Sequence, residues 1–383
     1  MDDILTYNKT MDEIHSDIKD EIFDLYFEFR DKKVNDIDIL NSLKKENLTR
    51  YDLFNLLSDE AMTYIEEMAE KAKLKRIQYF GKNVNIFSPL YISNYCSNGC
   101  KYCGFGIGSD IDRVHLNMEE IEAEMICLKE EGIEDVLILT GEAPLRSSIS
   151  YIGDAVKLAR RYFRIVGLEI YPANVDDYKY LHKCGADYVT IFQETYQQKE
   201  YDFFHPSGNK RKMLYRMESQ ERALLGNMRG VGFGCLFGLA DPIMDSFLLA
   251  CHASLIQQKY PHGEIAISLP RIRPSKGVDD SQFNLISDKK LFQIMLAMRL
   301  YLPYASITIS TRESREFRDL AIQYGATKVS ASVSTGVGER KKYNKSDIED
   351  EQFEINDHRS YSEIDKDFSA MGYTTVLSDY IFL

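Results

Sequence analysis

Eight short apolar runs alternate with longer segments of helical pattern over most of this 383-residue chain. The runs occupy residues 86–92, 136–140, 165–170, 188–192, 231–239, 265–269, 307–310 and 329–332. Such runs are typical of buried strands, and strands that alternate with helices form a parallel sheet. Eight such units close into a barrel whose active site lies at the carboxyl ends of the strands. The sequence therefore predicts an α/β fold, a (β/α)8 TIM-type barrel.

The segments on either side of this alternation have other patterns. Near the start of the chain, Ile14, Ile18, Ile22 and Leu25 recur at the three- and four-residue spacing of amphipathic helices. Ser58, which is followed by two acidic residues, is predicted to begin a further helix. After residue 335 a charged loop precedes a short helix and a strand-like tail. We predict an N-terminal helical extension at 1–84, the barrel at 85–334 and a C-terminal capping segment at 335–383.

Composition limits the partners and the location of the protein. A formal net charge of −13 disfavours binding to nucleic acid or to an anionic membrane. No apolar run approaches the roughly 20 residues that a membrane helix needs, and the acidic start of the chain lacks the pattern of a signal peptide. Seven unevenly spaced cysteines do not suggest a secreted disulfide framework. We expect a cytoplasmic protein with reduced thiols.

Three of the cysteines, Cys96, Cys100 and Cys103, lie within eight residues in a segment rich in Gly, Ser and Asn. These residue types favour a loop, and three thiolates on one loop can ligate three irons of a cubane iron–sulfur cluster. Two alternatives remain open: a helix with the cysteines on one buried face, and a zinc site completed by His115 in a non-catalytic binding protein. The remaining cysteines, predicted to be packing residues, are Cys127, Cys184, Cys235 and Cys251.

Polar and charged residues follow several of the predicted strands. They include Gly141, Glu142, Glu169, Glu194, Arg271, Ser310 and Arg312. Because the carboxyl ends of the strands meet at one end of a barrel, we expect many of these side chains to share a site.

The cysteine motif, with Tyr102 directly before its third cysteine, resembles the signature of the radical S-adenosylmethionine (SAM) enzymes. Six further blocks resemble one family of that superfamily, the aromatic amino acid lyases, and within it the 2-iminoacetate synthases (tyrosine lyases) of thiamine biosynthesis. The blocks are residues 89–94, 139–144, 192–196, 268–274, 310–314, and 352–353 with 357–360. Six blocks in order over most of the chain are more specific than the cysteine motif alone.

The resemblance implies a carbon–carbon lyase that binds a 4Fe-4S cluster, through Cys96, Cys100 and Cys103, and SAM at the open iron. In such enzymes a 5′-deoxyadenosyl radical abstracts a hydrogen from L-tyrosine. Cleavage of the Cα–Cβ bond then gives 2-iminoacetate (dehydroglycine) and p-cresol. Because this imine hydrolyses readily, a segment that closes the barrel mouth would protect it.

The resemblance also implies a set of cofactor-binding residues. The set is Tyr102, Gly141, Glu142, Glu169, Glu194, Arg216 and Arg222. Glu142 would face the SAM amino group, and Glu169 and Glu194 the ribose hydroxyls. Either Arg216 or Arg222 would bind the SAM carboxylate. For the substrate carboxylate, Arg312 with the neighbouring Ser310 is the first candidate, and Arg271 is the second.

Partners follow from the resemblance as well. The family acts with thiazole synthase, and the cluster needs an electron donor such as flavodoxin or ferredoxin. Two related activities remain as alternatives: a hydrogenase-maturation tyrosine lyase and a tryptophan lyase. The first carries additional cysteines in a C-terminal extension, whereas every cysteine of this chain lies at or before Cys251.

Overall fold

The computed structural model describes residues 2–273, 280–340 and 355–378. Its barrel strands are β1 (Asn83–Ser93), β2 (Asp135–Thr140), β3 (Ile165–Glu169), β4 (Tyr188–Thr190), β5 (Gly230–Gly234), β6 (Glu264–Ser268), β7 (Ser306–Ile309) and β8 (Lys328–Ser330). Each strand pairs in parallel with the next, and β1 pairs with both β2 and β8, which closes the sheet. The predicted (β/α)8 barrel is confirmed.

Helices precede, connect and follow these strands. They are α1 (Ile18–Phe29), α2 (Asp36–Leu43), α3 (Arg50–Leu57), α4 (Ile65–Phe80), α5 (Met118–Glu130), α6 (Ile149–Ala159), α7 (Val175–Cys184), α8 (Gln198–Phe204), α9 (Met213–Met217), α10 (Ser219–Leu225), α11 (Pro242–Lys259), α12 (Asp288–Tyr301), α13 (Arg315–Tyr324) and α14 (Tyr361–Ala370). None of the helices among the described residues is both long enough and apolar enough to cross a membrane.

The first four helices cover one side of the barrel. Helices α1 and α3 contact α11, and α4 contacts α12 and α13, so the early helices lie over the connections that follow β5, β6 and β7. The predicted apolar spacing is confirmed in α1, where Ile18, Ile22 and Leu25 are buried. The ring of Phe29 at the end of α1 lies 4.4 Å from that of Phe247 on α11. Burial of this apolar stripe attaches the extension to the barrel.

The predicted helix start at Ser58 is wrong in detail. Ser58 is the C-cap of α3, and its hydroxyl accepts a hydrogen bond from the amide of Ala61 at 3.3 Å. A 3₁₀ turn (Glu60–Tyr64) follows, and α4 begins only at Ile65. The serine thus caps the short turn, because its hydroxyl satisfies an amide three residues ahead.

The C-terminal part of the described chain returns to β1. After α14, a ninth strand, β9 (Thr374–Val376), pairs in parallel with the first residues of β1. The predicted short helix and strand-like tail are therefore confirmed. Gln352, Phe353, Pro274 and most of the predicted charged loop lie outside the described residues. The division into segments at residues 84 and 334 stays a prediction.

Candidate active site

A cavity of about 230 Å³ lies inside the barrel and opens toward the loops that follow the strands. Alternate strand residues line it, as the two-residue period of a strand requires. Examples are Phe87, Pro89 and Tyr91 on β1, Leu137 and Leu139 on β2, and Ala266 and Ser268 on β6. The cavity is therefore bounded by the barrel interior and by the strand-end loops.

The cluster loop, residues 96–106, follows β1 and forms one wall of the cavity. Cys96, Cys100 and Cys103 all line the cavity, and the loop contains no helix. The guanidinium of Arg113 holds the end of the loop by donating to the carbonyls of Phe105 at 2.9 Å and Gly106 at 2.6 Å. The alternative of a helix with the cysteines on a packed face is therefore wrong.

The zinc alternative fails on geometry. His115 does not line the cavity; its Nε2 lies 3.1 Å from the carbonyl oxygen of Arg146, and its ring lies 4.1 Å from that of Tyr151. Within the part of the chain that the structure describes, no three Cys, His, Asp or Glu side chains converge on one metal ion. A cubane cluster does not need such convergence, because each thiolate binds a different iron.

Glutamates from two strand ends form ion pairs with two cations in the cavity. The ammonium of Lys210 lies 2.7 Å from Oε1 of Glu194 and 3.5 Å from Oε1 of Glu142. The guanidinium of Arg216 lies 2.9 Å from Glu142 and 3.6 Å from Glu194. The structure thus brings Glu142, Glu194 and Arg216 together as predicted from their positions, with Glu169 lining the same cavity.

Glu169 has a perturbed carboxyl. Burial and the negative charge of Glu194 raise the pKa of Glu169 to about 7, although Arg312 opposes the shift. Near neutral pH the Glu169 carboxyl is therefore partly protonated, and it can both donate and accept hydrogen bonds.

A strained turn places Glu194 at the end of β4. Its φ of 71° lies in the left-handed region, which residues other than glycine rarely occupy. The buried carboxylate of Asp245 on α11 holds the turn, because it accepts from the Thr195 hydroxyl at 2.9 Å and from the Tyr196 amide at 3.0 Å. Burial raises the pKa of Asp245 to about 7. Strain that is fixed by its surroundings in this way is common at functional sites.

Gly141 and Tyr102 lie where the cluster loop approaches other elements. A Cβ on Gly141 would lie 2.3 Å from the carbonyl oxygen of Tyr95, so no side chain fits there. The Tyr102 hydroxyl lies 2.9 Å from Nε2 of His205, and the side chain of Tyr102 lines the cavity. Both residues therefore belong to the wall of the cavity that carries the cysteines.

Ser310 and Arg312 reach the cavity from the end of β7. The amide of Arg312 donates to the Ser310 hydroxyl at 3.4 Å, which keeps the two residues together. Burial lowers the pKa of Arg312, and the nearby Tyr91 and Glu169 oppose that shift. A guanidinium in this position offers planar, paired donors to a carboxylate.

Arg222 and Arg271 do not line the cavity. Nε of Arg222 donates to the carbonyl of Ala173 at 2.9 Å, and the side chain is fully buried on α10. Nε of Arg271 lies 2.9 and 3.1 Å from the two carboxylate oxygens of Glu313, and the same guanidinium also binds Asp288. The structure therefore does not bring these two predicted site residues to the others.

Two family models match the chain. The model of the radical SAM superfamily matches residues 90–230, and that of the biotin and thiamin synthesis associated domain matches residues 268–374. The 2-iminoacetate synthase of Escherichia coli (strain K12) is 33% identical over 344 residues, which cover 90% of each chain. The chain belongs to the radical SAM family.

Solved radical SAM structures agree with this fold. HydG, a maturase of the FeFe-hydrogenase, superposes with a TM-score of 0.87 at 30% identity, over 95% of this chain and 81% of HydG. HydG from Carboxydothermus hydrogenoformans superposes with a TM-score of 0.85 at 28% identity, over 95% of this chain and 86% of that one. Radical SAM proteins use a 4Fe-4S cluster and SAM as cofactors.

The residues of the cavity fit these radical SAM cofactors. All seven cysteines are free thiols, and three of them line the cavity. Burial raises the pKa of the Cys96 and Cys100 thiols, and Lys210 opposes the shift at Cys100. Iron displaces the thiol protons on binding, so buried thiols of this kind become thiolates in the loaded protein. The nearby carboxylates and cations suit a ligand with ammonium, carboxylate and diol groups.

Sequence reasoning gave no role to Tyr91 or Lys210, which line the radical SAM cavity together with Arg273, one of the charged residues that follow the sixth predicted strand. Tyr91 shares the two-residue period of β1 with Phe87 and Pro89, and this signal was available in the sequence. Lys210 lies in a connection without periodic pattern, so no comparable signal existed for it.

Proposed function

We propose that this protein cleaves the Cα–Cβ bond of L-tyrosine to 2-iminoacetate and p-cresol, for thiamine thiazole biosynthesis. One observation carries the proposal: the cluster cysteines and Arg312 line the same cavity, from the loop after β1 and from the end of β7. A substrate carboxylate bound at Arg312 would thus lie in the space that the cofactors enter. The similarity to a 2-iminoacetate synthase over 90% of the chain supports the same reaction.

On the cofactor side, several residues of the cavity each bind one group of the cofactors. Cys96, Cys100 and Cys103 hold the cluster, which with SAM supplies the 5′-deoxyadenosyl radical for hydrogen abstraction. Gly141 and Glu142 bind the SAM amino group, and Arg216 binds its carboxylate. Glu169 and Glu194 accept hydrogen bonds from the ribose hydroxyls, and Tyr102 packs beside these two carboxylates.

On the substrate side, Arg312 binds the carboxylate of tyrosine in a fork, and Ser310 adds a hydroxyl next to it. Apolar residues such as Leu137, Leu139 and Ile191 line the deeper cavity and exclude water. Exclusion of water protects the imine product from hydrolysis before it leaves. Since Arg222 and Arg271 lie outside the cavity, we give them structural roles.

The hydrogenase-maturation activity is the second candidate, because HydG superposes so closely. That activity uses a second cluster, and the cysteines that hold it lie in a C-terminal extension. In this chain the 132 residues after Cys251 (383 − 251) contain no cysteine. Soft thiolate ligands are what an iron–sulfur cluster prefers, and these 132 residues offer none to a second cluster.

One anaerobic assay tests the proposal. Reconstituted protein is mixed with SAM, dithionite and either L-tyrosine or L-tryptophan, and the small products are analysed. We expect p-cresol from tyrosine, together with glyoxylate and ammonia from hydrolysed 2-iminoacetate, and no product from tryptophan. Turnover of tryptophan without turnover of tyrosine would replace the proposal with a tryptophan lyase.

Metal analysis separates the hydrogenase-maturation candidate. We expect about four irons per chain, the content of one cubane. Carbon monoxide released during turnover is trapped with a reduced haem protein, and we expect none. About eight irons, or carbon monoxide in amounts equal to the tyrosine consumed, would overturn the thiamine assignment.

Two protein partners and a cytoplasmic location belong to the proposed function. The product would pass to thiazole synthase. A flavodoxin or ferredoxin would supply two electrons per turnover, one for cleavage of SAM and one that, with a proton, replaces the hydrogen taken from tyrosine. A reducing cytoplasmic location suits seven free thiols and an iron–sulfur cluster. Release of less glyoxylate in the presence of thiazole synthase would support direct transfer of the product.

A further inference from the structure

A segment after α8 lies directly across the cluster loop. We name residues 204–210 the clamp segment. Its carbonyls accept hydrogen bonds from two amides of the cluster loop: Lys101 donates to Phe204 at 3.1 Å, and Gly99 donates to Ser207 at 3.3 Å. In return the amide of Lys210 donates to the side-chain oxygen of Asn98 at 3.0 Å. The backbone of the loop that carries Cys100 is therefore attached to the clamp segment.

The approach of the two segments depends on a glycine. Gly208 has a φ of +88°, and a Cβ there would lie 2.1 Å from Oδ1 of Asn98. A side chain at this position would therefore separate the clamp segment from the cluster loop. The same turn directs Lys210 into the cavity.

The side chain of Lys210 connects the clamp segment to two strand ends. Its ammonium contacts Glu194 after β4 and Glu142 after β2, at 2.7 and 3.5 Å. Burial and Arg216 act to lower the pKa of Lys210, but Glu194 and Glu142 outweigh them and raise it. Lys210 is therefore a buried cation, and only 12% of its side chain is exposed.

Glu142 is held from both sides by this arrangement. One carboxylate oxygen faces Lys210 and Arg216, and the other accepts from Nδ2 of Asn98 at 3.0 Å. Without Lys210, Arg216 would be left to compensate both Glu142 and Glu194. Like-charge repulsion would then favour movement of the two carboxylates away from each other.

We propose that Lys210 is a positioning residue that fixes the SAM-binding carboxylates Glu142 and Glu194 relative to the cluster loop. The roles of the two carboxylates rest on the proposed function. Lys210 acts before any ligand binds, because its contacts lie within the protein. It therefore affects both the order of the cluster loop and the affinity for SAM.

Lys212 offers a matched control two residues away. Its side chain is 11% exposed, nearly the same as that of Lys210. Its ammonium donates to the Asp3 carbonyl at 3.0 Å and to the Thr6 hydroxyl at 2.9 Å, and it does not line the cavity. Replacement of either lysine by methionine removes one buried charge, but only Lys210→Met changes the cavity.

Two measurements that need no tyrosine test the proposal. In reconstituted protein, formation of 5′-deoxyadenosine is followed against SAM concentration with dithionite present. We expect Lys210→Met to raise the KM for SAM about tenfold or more, since loss of one partner of a buried charge pair costs at least the 1.4 kcal/mol that a tenfold change represents. In cluster-free protein, we expect faster hydrogen exchange at the amides of Gly99 and Lys101.

Lys212→Met is expected to leave both measurements within about twofold of the wild type, because its charge pairs lie outside the cavity. Lys210→Arg keeps the charge and is expected to restore most of the loss. Equal behaviour of Lys210→Met and Lys212→Met, or an equally impaired Lys210→Arg, would overturn the proposal. If circular dichroism shows Lys210→Met to be unfolded, Lys210→Gln and Lys212→Gln provide the same comparison. A failed tyrosine assay would leave both readouts intact, so the two proposals fail separately.

Discussion

The cofactor side and the substrate side of the cavity are built differently. On the cofactor side, Glu142, Glu194, Arg216 and Lys210 contact one another from four separate segments of the chain. On the substrate side, the ion pair of Arg271 with Glu313 lies outside the cavity. The cavity wall there carries Arg312 and hydroxyl groups such as that of Ser310. In the proposed function, the cofactor side is thus arranged before ligands bind, which lowers the cost of ordering it, whereas recognition of the proposed substrate would depend on fewer groups.

The largest effect is expected at the cluster. Replacement of Cys96, Cys100 or Cys103 by Ala should abolish formation of 5′-deoxyadenosine, because a cluster that lacks a thiolate is lost. Cys127 on α5 is half-buried and does not line the cavity, so Cys127→Ala is the control and should retain activity. Wild-type production of 5′-deoxyadenosine by Cys96→Ala under reducing conditions would disprove the cluster assignment.

The substrate side should respond next. Arg312→Ala should lower kcat/KM for tyrosine on the order of 30- to 5,000-fold, which corresponds to about 2–5 kcal/mol, because a charge-assisted pair is lost. The absorbance of the cluster should stay unchanged, and Arg312→Lys should recover little, since a point charge does not replace a planar fork. If the tyrosine dependence of Arg312→Ala equals that of the wild type, Arg273 becomes the candidate for the carboxylate.

A smaller effect is expected at Asp245, which holds the turn that places Glu194 in the cavity. Asp245→Asn weakens the hydrogen bonds that hold the Glu194 turn, so it should lower the free energy of unfolding by about 1–3 kcal/mol. The KM for SAM should rise while that for tyrosine stays nearly constant. Asp241→Asn, at the N-cap of the same helix, exchanges one good capping residue for another. It should change neither the free energy of unfolding nor the KM for SAM. Parallel increases in both KM values would show that the two sides are not independent.

The smallest effect concerns pH. The folded-state pKa of Glu169 is raised to about 7 from an ordinary 4.5, so its stabilising contribution is complete below pH 4.5 and is lost as the pH rises through 7. Glu169→Gln cannot ionise. The Tm of cluster-free Glu169→Gln should therefore exceed that of the wild type by a margin that grows from pH 5 to about 7.5. Glu119→Gln, an exposed position on α5, is the control, and an equal pH trend in both variants would contradict the assignment.

The barrel could be predicted from the sequence because its strands bury both faces and therefore form continuous apolar runs. The cysteine loop could be predicted for a different reason, since its Gly, Ser and Asn residues favour a loop over a helix. The choice between Arg216 and Arg222 could not be made in the same way. Arg216 lies on α9 and Arg222 on α10, so which guanidinium faces the strand ends depends on the break between these two short helices, and the sequence does not show that break.

The ranking of Arg312 above Arg271 could not be derived from strand position alone. Both follow strands, and strand ends carry charges that serve stability as well as function. The deciding fact is the position of Glu313, which lies next to Arg312 in sequence but binds Arg271 from behind the cavity. Such a pairing depends on tertiary structure, and neither residue type nor spacing predicts it.

The pairing of β9 with the start of β1 has a consequence for how the protein is made. Asn83 pairs with Thr374, 291 positions later in the chain (374 − 83). Contacts between residues so far apart form slowly, so the first three residues of β1 remain unpaired with β9 until nearly all the rest of the protein has left the ribosome, although β1 can pair with β2 much earlier. The cluster loop follows the other end of the same strand. Because β8 must pair with β1 before the barrel closes, a ribosome-bound chain that stops before residue 328 should not retain a stable cluster.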